Sequence, residues 1–441
     1  MNELQTDKKA WVISADMGYG HQRAVYPLRS IAEGGIITVG DNDSTPASEK
    51  KLWSRVLGAY ELLSRARSIP LIGKALFNIL DTFMHIPSFY PMRNLSSITF
   101  QVNLLDRSIK NGLCGGILEK VKTKHLPFIT SFYAPAIAAD LNGLDKIYSI
   151  VCDADMNRVW VAKDPWDSRI EYFAPCGKAA QRLRAYGVPD ERIHLTGFPL
   201  SVELLGGKDL HLLKSDLAQR LFYLDPHKRF WERHSKNVEH FLGEENCVFK
   251  KERKLTITFA VGGAGAQKEI GRKVAISLKE KILKGDVHLI LIAGTKEMVN
   301  DYFLQLQKEH FAGCENLTIM HTTNQQEYFK KFNELMRVTD ILWTKPSELS
   351  FYTGLGIPIV MAPAIGSQEL FNKRWLLEVQ AGFKQLNPEY ADQWLFDMIN
   401  KGRLADAAWS GFLKVRKLGT YKILEVLETG KMVRESSPVL R

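Results

Sequence analysis

Two glycine-rich turns and a few titratable residues are where this chain could do chemistry. Met17-Gly18-Tyr19-Gly20-His21 follows the apolar run Trp11-Val12-Ile13, and Val261-Gly262-Gly263-Ala264-Gly265-Ala266-Gln267 follows Thr256-Ile257-Thr258-Phe259-Ala260. Each turn precedes a stretch with helical spacing. Strand, glycine turn and helix in that order present backbone N–H groups and the positive end of a helix to an anion, and a side chain in the turn would hold that anion away. Two such turns, each opening its own half of the chain, point to two α/β domains facing one cleft. His21, in the first turn of its helix, suits a general base, because the helix dipole should keep its imidazole neutral near pH 7. The same position also suits a histidine that only hydrogen-bonds the loop or orients a bound molecule. Asp153 and Asp155, just after Val151-Cys152, are a second candidate base, Asp153 being favoured, and two carboxylates at that spacing also fit a metal site.

The elements that position these residues follow from pattern and punctuation. Residues 10–15 read as strand, 21–33 as helix, 36–40 as strand and 50–112 as an irregular helical insertion. Strand-like runs follow at 128–130, 147–151, 158–161 and 170–173. A helix over 178–186 stops at Gly187-Val188-Pro189. The stretch from about 204 to 254 is rich in Lys, His and Glu, contains Lys228-Arg229-Phe230-Trp231-Glu232-Arg233-His234, and reads as the linker. Strands near 255–261, 288–293, 317–320, 340–343 and 357–361, with helices between them, imply a parallel sheet with right-handed crossovers. Ligands of such sheets sit at the carboxyl ends of the strands. There stand Gly262 to Gln267, Gly294-Thr295, His321-Thr322-Thr323, Thr344 to Glu348, and Pro363 to Glu369, a set of small, hydroxylated and carboxylate-bearing residues that suits phosphate and ribose.

The length of 441 residues exceeds what one core serves, so two domains are expected. No apolar run reaches the ~18–20 residues of a membrane span, and the opening residues lack a signal-peptide core, so a cytoplasmic location is expected. Five scattered cysteines without CxxC spacing indicate neither a disulfide framework nor a zinc site, and are read as reduced and mostly buried. The formal charge of +10 calls for an anionic partner. Eleven Lys and Arg against four Asp and Glu lie between Lys51 and His125, with Trp53, Val56, Leu57, Tyr60 and Leu63 on one helical face. That composition fits an interfacial membrane helix as well as an ordinary surface helix. Ile69 to Leu80 is apolar on more than one face and harder to bury. Nucleic acid is disfavoured, since the cations are not interleaved with aromatics in a recognisable module.

At this point a family resemblance is specific enough to state. Ser14-Ala15-Asp16-Met17-Gly18-Tyr19-Gly20-His21 resembles the S-x-x-x-G-x-G-H turn of the GT-B glycosyltransferases in the branch of the lipid-intermediate GlcNAc transferase and the monogalactosyl- and glucosyl-diacylglycerol synthases. Pro175-Cys176-Gly177-Lys178 through Gly197-Phe198-Pro199 resembles the segment closing the first domain of that family. Thr344-Lys345-Pro346-Ser347-Glu348, Gly354-Leu355-Gly356-Ile357-Pro358 and Gln368-Glu369-Leu370-Phe371-Asn372 resemble its donor block. The likeness covers about 10–205 and 254–385. It departs where Gly-Gly-Ala-Gly-Ala replaces a richer glycine loop and Ser347-Glu348 replaces a glycine turn, and 204–254 has no counterpart.

The resemblance implies two Rossmann-like doubly wound domains around a cleft: an acceptor domain over 1–205, a linker over 206–253, and a nucleotide-sugar domain over 254–441 whose last helices cross back. It implies an inverting transfer from a UDP-sugar to a membrane lipid or lipid-linked acceptor at the inner face of an anionic membrane, without a cofactor or metal. Donor-side roles then fall to Gly262, Gly263 and Gly265 through backbone N–H groups, and to Gln267, Lys345, Ser347, Glu348, Gln368, Glu369 and Asn372. Gly18, Tyr19 and Gly20 fall to the acceptor side, with His21 or Asp153 as base. For Glu348 and Glu369 helix capping is the competing role. A nucleotide-sugar epimerase or hydrolase of the same architecture, and a non-catalytic nucleotide binder, are the alternatives.

Overall fold

The computed structural model describes residues 8–40, 45–47, 49–53, 86–250, 253–262, 265, 267–433, 435 and 437. Val56, Leu57, Tyr60 and Leu63 of the amphipathic stretch, the run 69–80 and Gly263 lie outside them.

The two apolar halves of the sequence fold into two parallel six-stranded sheets. In the first, β1 (Trp11–Ala15), β2 (Ile37–Val39), β3 (Phe128–Thr130), β4 (Ile147–Ile150), β5 (Ile170–Phe173) and β6 (Ile193–His194) lie in the order β2-β1-β3-β4-β5-β6. In the second, β7 (Leu255–Ala260), β8 (Val287–Gly294), β9 (Leu317–His321), β10 (Ile341–Thr344), β11 (Ile359–Met361) and β12 (Gly382–Lys384) lie in the order β12-β11-β10-β7-β8-β9. Central strands such as β1, β4 and β10 are buried on both faces, which is why they read as continuous apolar runs. The order reverses between β1 and β3 in one sheet and between β7 and β10 in the other, and ligands of doubly wound sheets settle at such switch points. Both glycine turns stand there.

The helices cover the faces of both sheets. They are α1 (Tyr19–Val25), α2 (Phe100–Lys110), α3 (Gly115–Val121), α4 (Tyr133–Leu141), α5 (Gly177–Ala185), α6 (Val202–Leu205), α7 (His211–Leu224) and α8 (Trp231–Leu242) in the first part of the chain. In the second part are α9 (Lys268–Ser277), α10 (Lys279–Lys284), α11 (Glu297–His310), α12 (Gln325–Val338), α13 (Ser367–Glu378), α14 (Ala391–Asn400), α15 (Arg403–Lys414) and α16 (Gly419–Thr429). The helix expected over 21–33 is shorter, because Pro27 lacks an N–H and the chain tightens into a 3-10 turn at Tyr26–Leu28. The strand expected at 158–161 is instead a 3-10 turn at Arg158–Trp160. Its cause is the buried Arg158, whose guanidinium donates to Val161 O at 2.7 Å, Lys163 O at 3.2 Å and Ser96 O at 3.1 Å. The strand at 382–384 had no signal in a three-residue run of Gly, Phe and Lys.

The stretch 206–253, read from its composition as a linker, contains α7 and α8. Leu213, Leu217, Leu221 and Leu224 are buried along α7. Between them the fully enclosed Arg220 donates to Thr339 O at 2.7 Å, Leu355 O at 2.8 Å and Met336 O at 3.3 Å. Those carbonyls belong to the end of α12 and the turn after β10, so α7 is fastened to the second sheet's domain. At the far end α16 returns to the first domain, where Thr420 donates to Leu200 O at 2.5 Å. Replacing Arg220 with Ala strands several buried carbonyls, and should lower stability by ~3 kcal/mol; urea unfolding of the two proteins measures the difference.

Candidate functional site

Helix α1 carries the first glycine turn's side chains into the space between the sheets. Gly18 takes φ +95° as its N-cap, a conformation that favours glycine. Gly20 sits close to the opposite domain: a Cβ there would lie 3.3 Å from Glu348 Oε2, tight enough to press on that side chain. His21 turns toward the end of β3, where Nδ1 lies 2.6 Å from the Ser131 carbonyl and Ser131 Oγ donates to His21 O at 2.7 Å. A carbonyl only accepts, so Nδ1 carries the proton and the lone pair of the neutral ring resides on Nε2. Burial lowers the imidazole below its ordinary 6.5, and the Ser131 contact and the charge of Glu348 offset part of that. The downward shift expected from the helix dipole therefore arises chiefly from desolvation, α1 being only seven residues long.

The loop after β4 separates the two candidate carboxylates. Asp155 is fully buried and paired with Arg182, whose Nε and Nη2 donate to its two oxygens at 2.7 and 3.0 Å. It is fixed in the first domain's interior. Asp153 points into the cleft, where Oδ1 accepts from Asn372 Nδ2 at 2.7 Å, while Asn372 Oδ1 accepts from Ala154 N–H at 2.8 Å. Desolvation first, with the negative charges of Glu348 and Glu369, pushes the Asp153 carboxyl up to about 6, against the lowering effect of Asn372 and Lys345. Asn372, expected beside Gln368 and Glu369 on the donor side, thus clasps the two domains together.

Opposite stands the second glycine turn. A Cβ at Gly262 would come 2.3 Å from Lys345 Cε, so only glycine lets the Lys345 side chain cross the turn. Gly265, at φ +70°, donates its N–H, expected to meet a phosphate, to Gly262 O at 2.8 Å within the turn. Gln267 reaches away to Pro363 O at 2.7 Å. Lys345 Nζ lies 2.5 Å from Glu369 Oε1, and Glu369 Oε2 accepts from the Ile365 and Gly366 N–H groups at 2.5 and 3.2 Å. Glu369 therefore has the capping role at the start of α13. Gln368 is in the first turn of the same helix, and Ser347 stands directly before the 3-10 turn Glu348–Leu355.

Glu348 is committed across the cleft to Arg23, a residue the sequence did not single out. Arg23 Nε donates to Glu348 Oε1 at 3.2 Å and Nη2 to the Tyr328 hydroxyl at 3.2 Å, over the Phe332 ring at 4.1 Å. Tyr19, one turn earlier, stacks on Tyr328 at 4.7 Å and accepts the Thr295 N–H at 2.9 Å. The available signals were the position of Arg23 two residues after His21, and the aromatic run Tyr328-Phe329 with Phe332 on α12. The site thus brings Asp153 within range of Asn372, Lys345, Glu348 and Glu369, and His21 within range of Glu348, and spreads Gln267 to its edge. A neutral base, a carboxyl near 6 and a lysine over a glycine turn can together take a proton and receive an anion.

The raised Asp153 carboxyl has a sign. Between its unfolded value near 3.9 and about 6 the folded state binds the extra proton, so stability falls as pH rises through that window. Asp153→Asn should remove that slope and be the more stable protein at pH 7, by at most ~2–3 kcal/mol. Thermal unfolding of both proteins from pH 4 to pH 7 checks it.

Residues 300–422 match a family model described as a domain of unknown function, DUF6938. No curated protein matches the sequence. Among solved structures, the Staphylococcus aureus MnaA–UDP co-structure is similar over 96% of both chains, at 10% identity and a TM-score of 0.50. The Neisseria meningitidis UDP-GlcNAc 2-epimerase bound to UDP-GlcNAc aligns over 95% of this chain and 99% of its own, at 12% identity and a TM-score of 0.45. Acinetobacter baumannii MurG aligns over 73% and 79%, at 15% identity and 0.41. At such identities the likeness is one of fold. Two parallel six-stranded sheets flanked by helices, facing one cleft, make this a GT-B architecture.

Proposed function

We propose that this chain is a glycosyltransferase that moves a sugar from a UDP-sugar to a membrane lipid or lipid-linked acceptor, with inversion at the sugar. The observation that carries this is the opposition of His21 and Asp153 on one wall of the cleft to Lys345 and the Gly262 turn on the other. His21 Nε2 takes the proton of the acceptor hydroxyl as that oxygen bonds to the sugar, and the bond from sugar to diphosphate breaks. The developing charge on the departing UDP is met by Lys345 and the Gly262 N–H. No metal ion is invoked. The solved relative with UDP supports a nucleotide diphosphate as the leaving group.

A membrane-facing acceptor is supported by the later part of the 50–112 insertion, where Tyr90, Met92 and Phe100 are 74%, 74% and 64% exposed and Arg93 and Arg107 stand in the same stretch of sequence. No helix of the described residues is long and apolar enough to cross a membrane; the contact proposed is a peripheral one at a cytoplasmic face. One observation favours a second activity: a carboxyl near 6 and an imidazole lowered by burial, each within the field of Glu348, are acid and base groups that could act on the donor sugar itself. An epimerase or hydrolase would release product from UDP-sugar alone. A transferase needs the acceptor.

UDP at a hundredfold excess over its dissociation constant should stabilise the protein by ~2.7 kcal/mol. His21→Ala should keep that thermal shift while turnover with UDP-sugar and lipid extract falls about 10²–10⁴-fold. Loss of the UDP shift in His21→Ala would place the nucleotide on the wrong domain. On liposome flotation, the full chain should be recovered with anionic vesicles and not with neutral ones; equal recovery, or none, removes the membrane surface as a partner.

A further inference from the structure

Helix α1 does more than carry His21. Its Tyr19 ring stacks on Tyr328 at 4.7 Å with the planes inclined by 30°, and its hydroxyl is held by the Thr295 N–H at 2.9 Å and Thr295 Oγ1 at 2.8 Å. Gly294, at φ +71°, makes room, since a Cβ there would come 2.8 Å from the Tyr19 hydroxyl. One turn on, the Arg23 side chain is 3% exposed and surrounded by Glu348, Tyr328, Phe332 and Tyr352. These partners belong to the end of β8, to α12 and to the turn after β10.

They are also the groups a nucleoside would use. A backbone N–H beside an aromatic face suits a flat heterocycle bearing a carbonyl, and a carboxylate suits paired ribose hydroxyls. Tyr19 is itself a flat ring with an oxygen acceptor. Arg23 is itself a set of N–H donors on a carboxylate. One helix of the first domain thus satisfies, from within the chain, the complementarity that the second domain offers to base and ribose.

We propose that α1 is a resident competitor for the nucleotide: Tyr19 and Arg23 latch the cleft, and the domains must part at this helix before base and ribose can be seated. The proposal rests on the UDP-sugar assignment above. Apparent affinity is then the intrinsic affinity reduced by the fraction of molecules unlatched. Removing Arg23 leaves Glu348 buried without its partner in the latched form alone, because parting rehydrates it. The latch should therefore open, and a substitution in the cleft should tighten ligand binding.

The test is calorimetric titration of UDP into the full chain, with small-angle scattering of the same samples, for the unaltered protein, Arg23→Ala and Tyr19→Phe. Arg23→Ala should bind UDP at least ~10-fold more tightly and have a larger radius of gyration. Tyr19→Phe keeps the stacked ring, loses both Thr295 contacts, and should bind roughly 3- to 10-fold more tightly; it serves if Arg23→Ala does not fold. Equal or weaker UDP binding by the folded variants overturns the proposal. If UDP binds none of the three proteins, the UDP-sugar assignment fails instead, and scattering judges the latch alone: an unchanged radius overturns it, a larger one sustains it.

Discussion

A guanidinium with almost no solvent contact joins the two halves of this molecule. Burying one charge costs several kcal/mol even after relaxation, and that cost is offset only when partners are close and well directed. Arg23 has Glu348 Oε1 at 3.2 Å, two tyrosine hydroxyls, and the faces of Tyr328, Phe329, Phe332 and Tyr352 between 4.1 and 5.6 Å. Such desolvated cation–π contacts reach ~2 kcal/mol. All of these partners come from the second domain, whereas the charge comes from the first. Closure of the cleft is held at this side chain, together with the Tyr19 and Asn372 contacts described above.

The chemistry of the site follows from that closure. Burial lowers the His21 imidazole and the charge of Glu348 from the opposite domain offsets part of that, while Asp153 owes its raised carboxyl to burial plus the carboxylates of Glu348 and Glu369 from the opposite domain. The Asn372 clasp to Asp153 and Ala154 also holds the two halves together, while its hydrogen bond offsets part of the rise at Asp153. Each half alone supplies a parallel sheet with a glycine turn at its switch point. Only the two together place a base, a carboxyl and a lysine within one space.

Much of this was legible in residue type and spacing. The strand–glycine–helix order at Gly18 and Gly262 located both switch points, and the apolar runs located every strand but the short β6 and β12, with one false strand at 158–161. What could not be read was commitment. Asp153 and Asp155 are two residues apart and chemically alike, and Arg182 removes one of them from the cleft, a pairing that no local pattern announces. Glu369 caps its own helix because Gly366 leaves N–H groups open there. Arg220 is a charged residue in a charged stretch, and its enclosure among carbonyls over a hundred residues later turned an apparent linker into part of a core. Long-range partners decide these roles, and sequence spacing carries no information about them.

Hydrogen exchange of the full chain with and without UDP tests the central claim most directly, that nucleotide and α1 contend for the carboxyl ends of β8 and β10. UDP should slow exchange at residues 294–296 and 345–350 and at the same time speed it across Tyr19–Val25. Slower exchange in Tyr19–Val25 together with the second-domain loops, or no change in those loops at all, would contradict it.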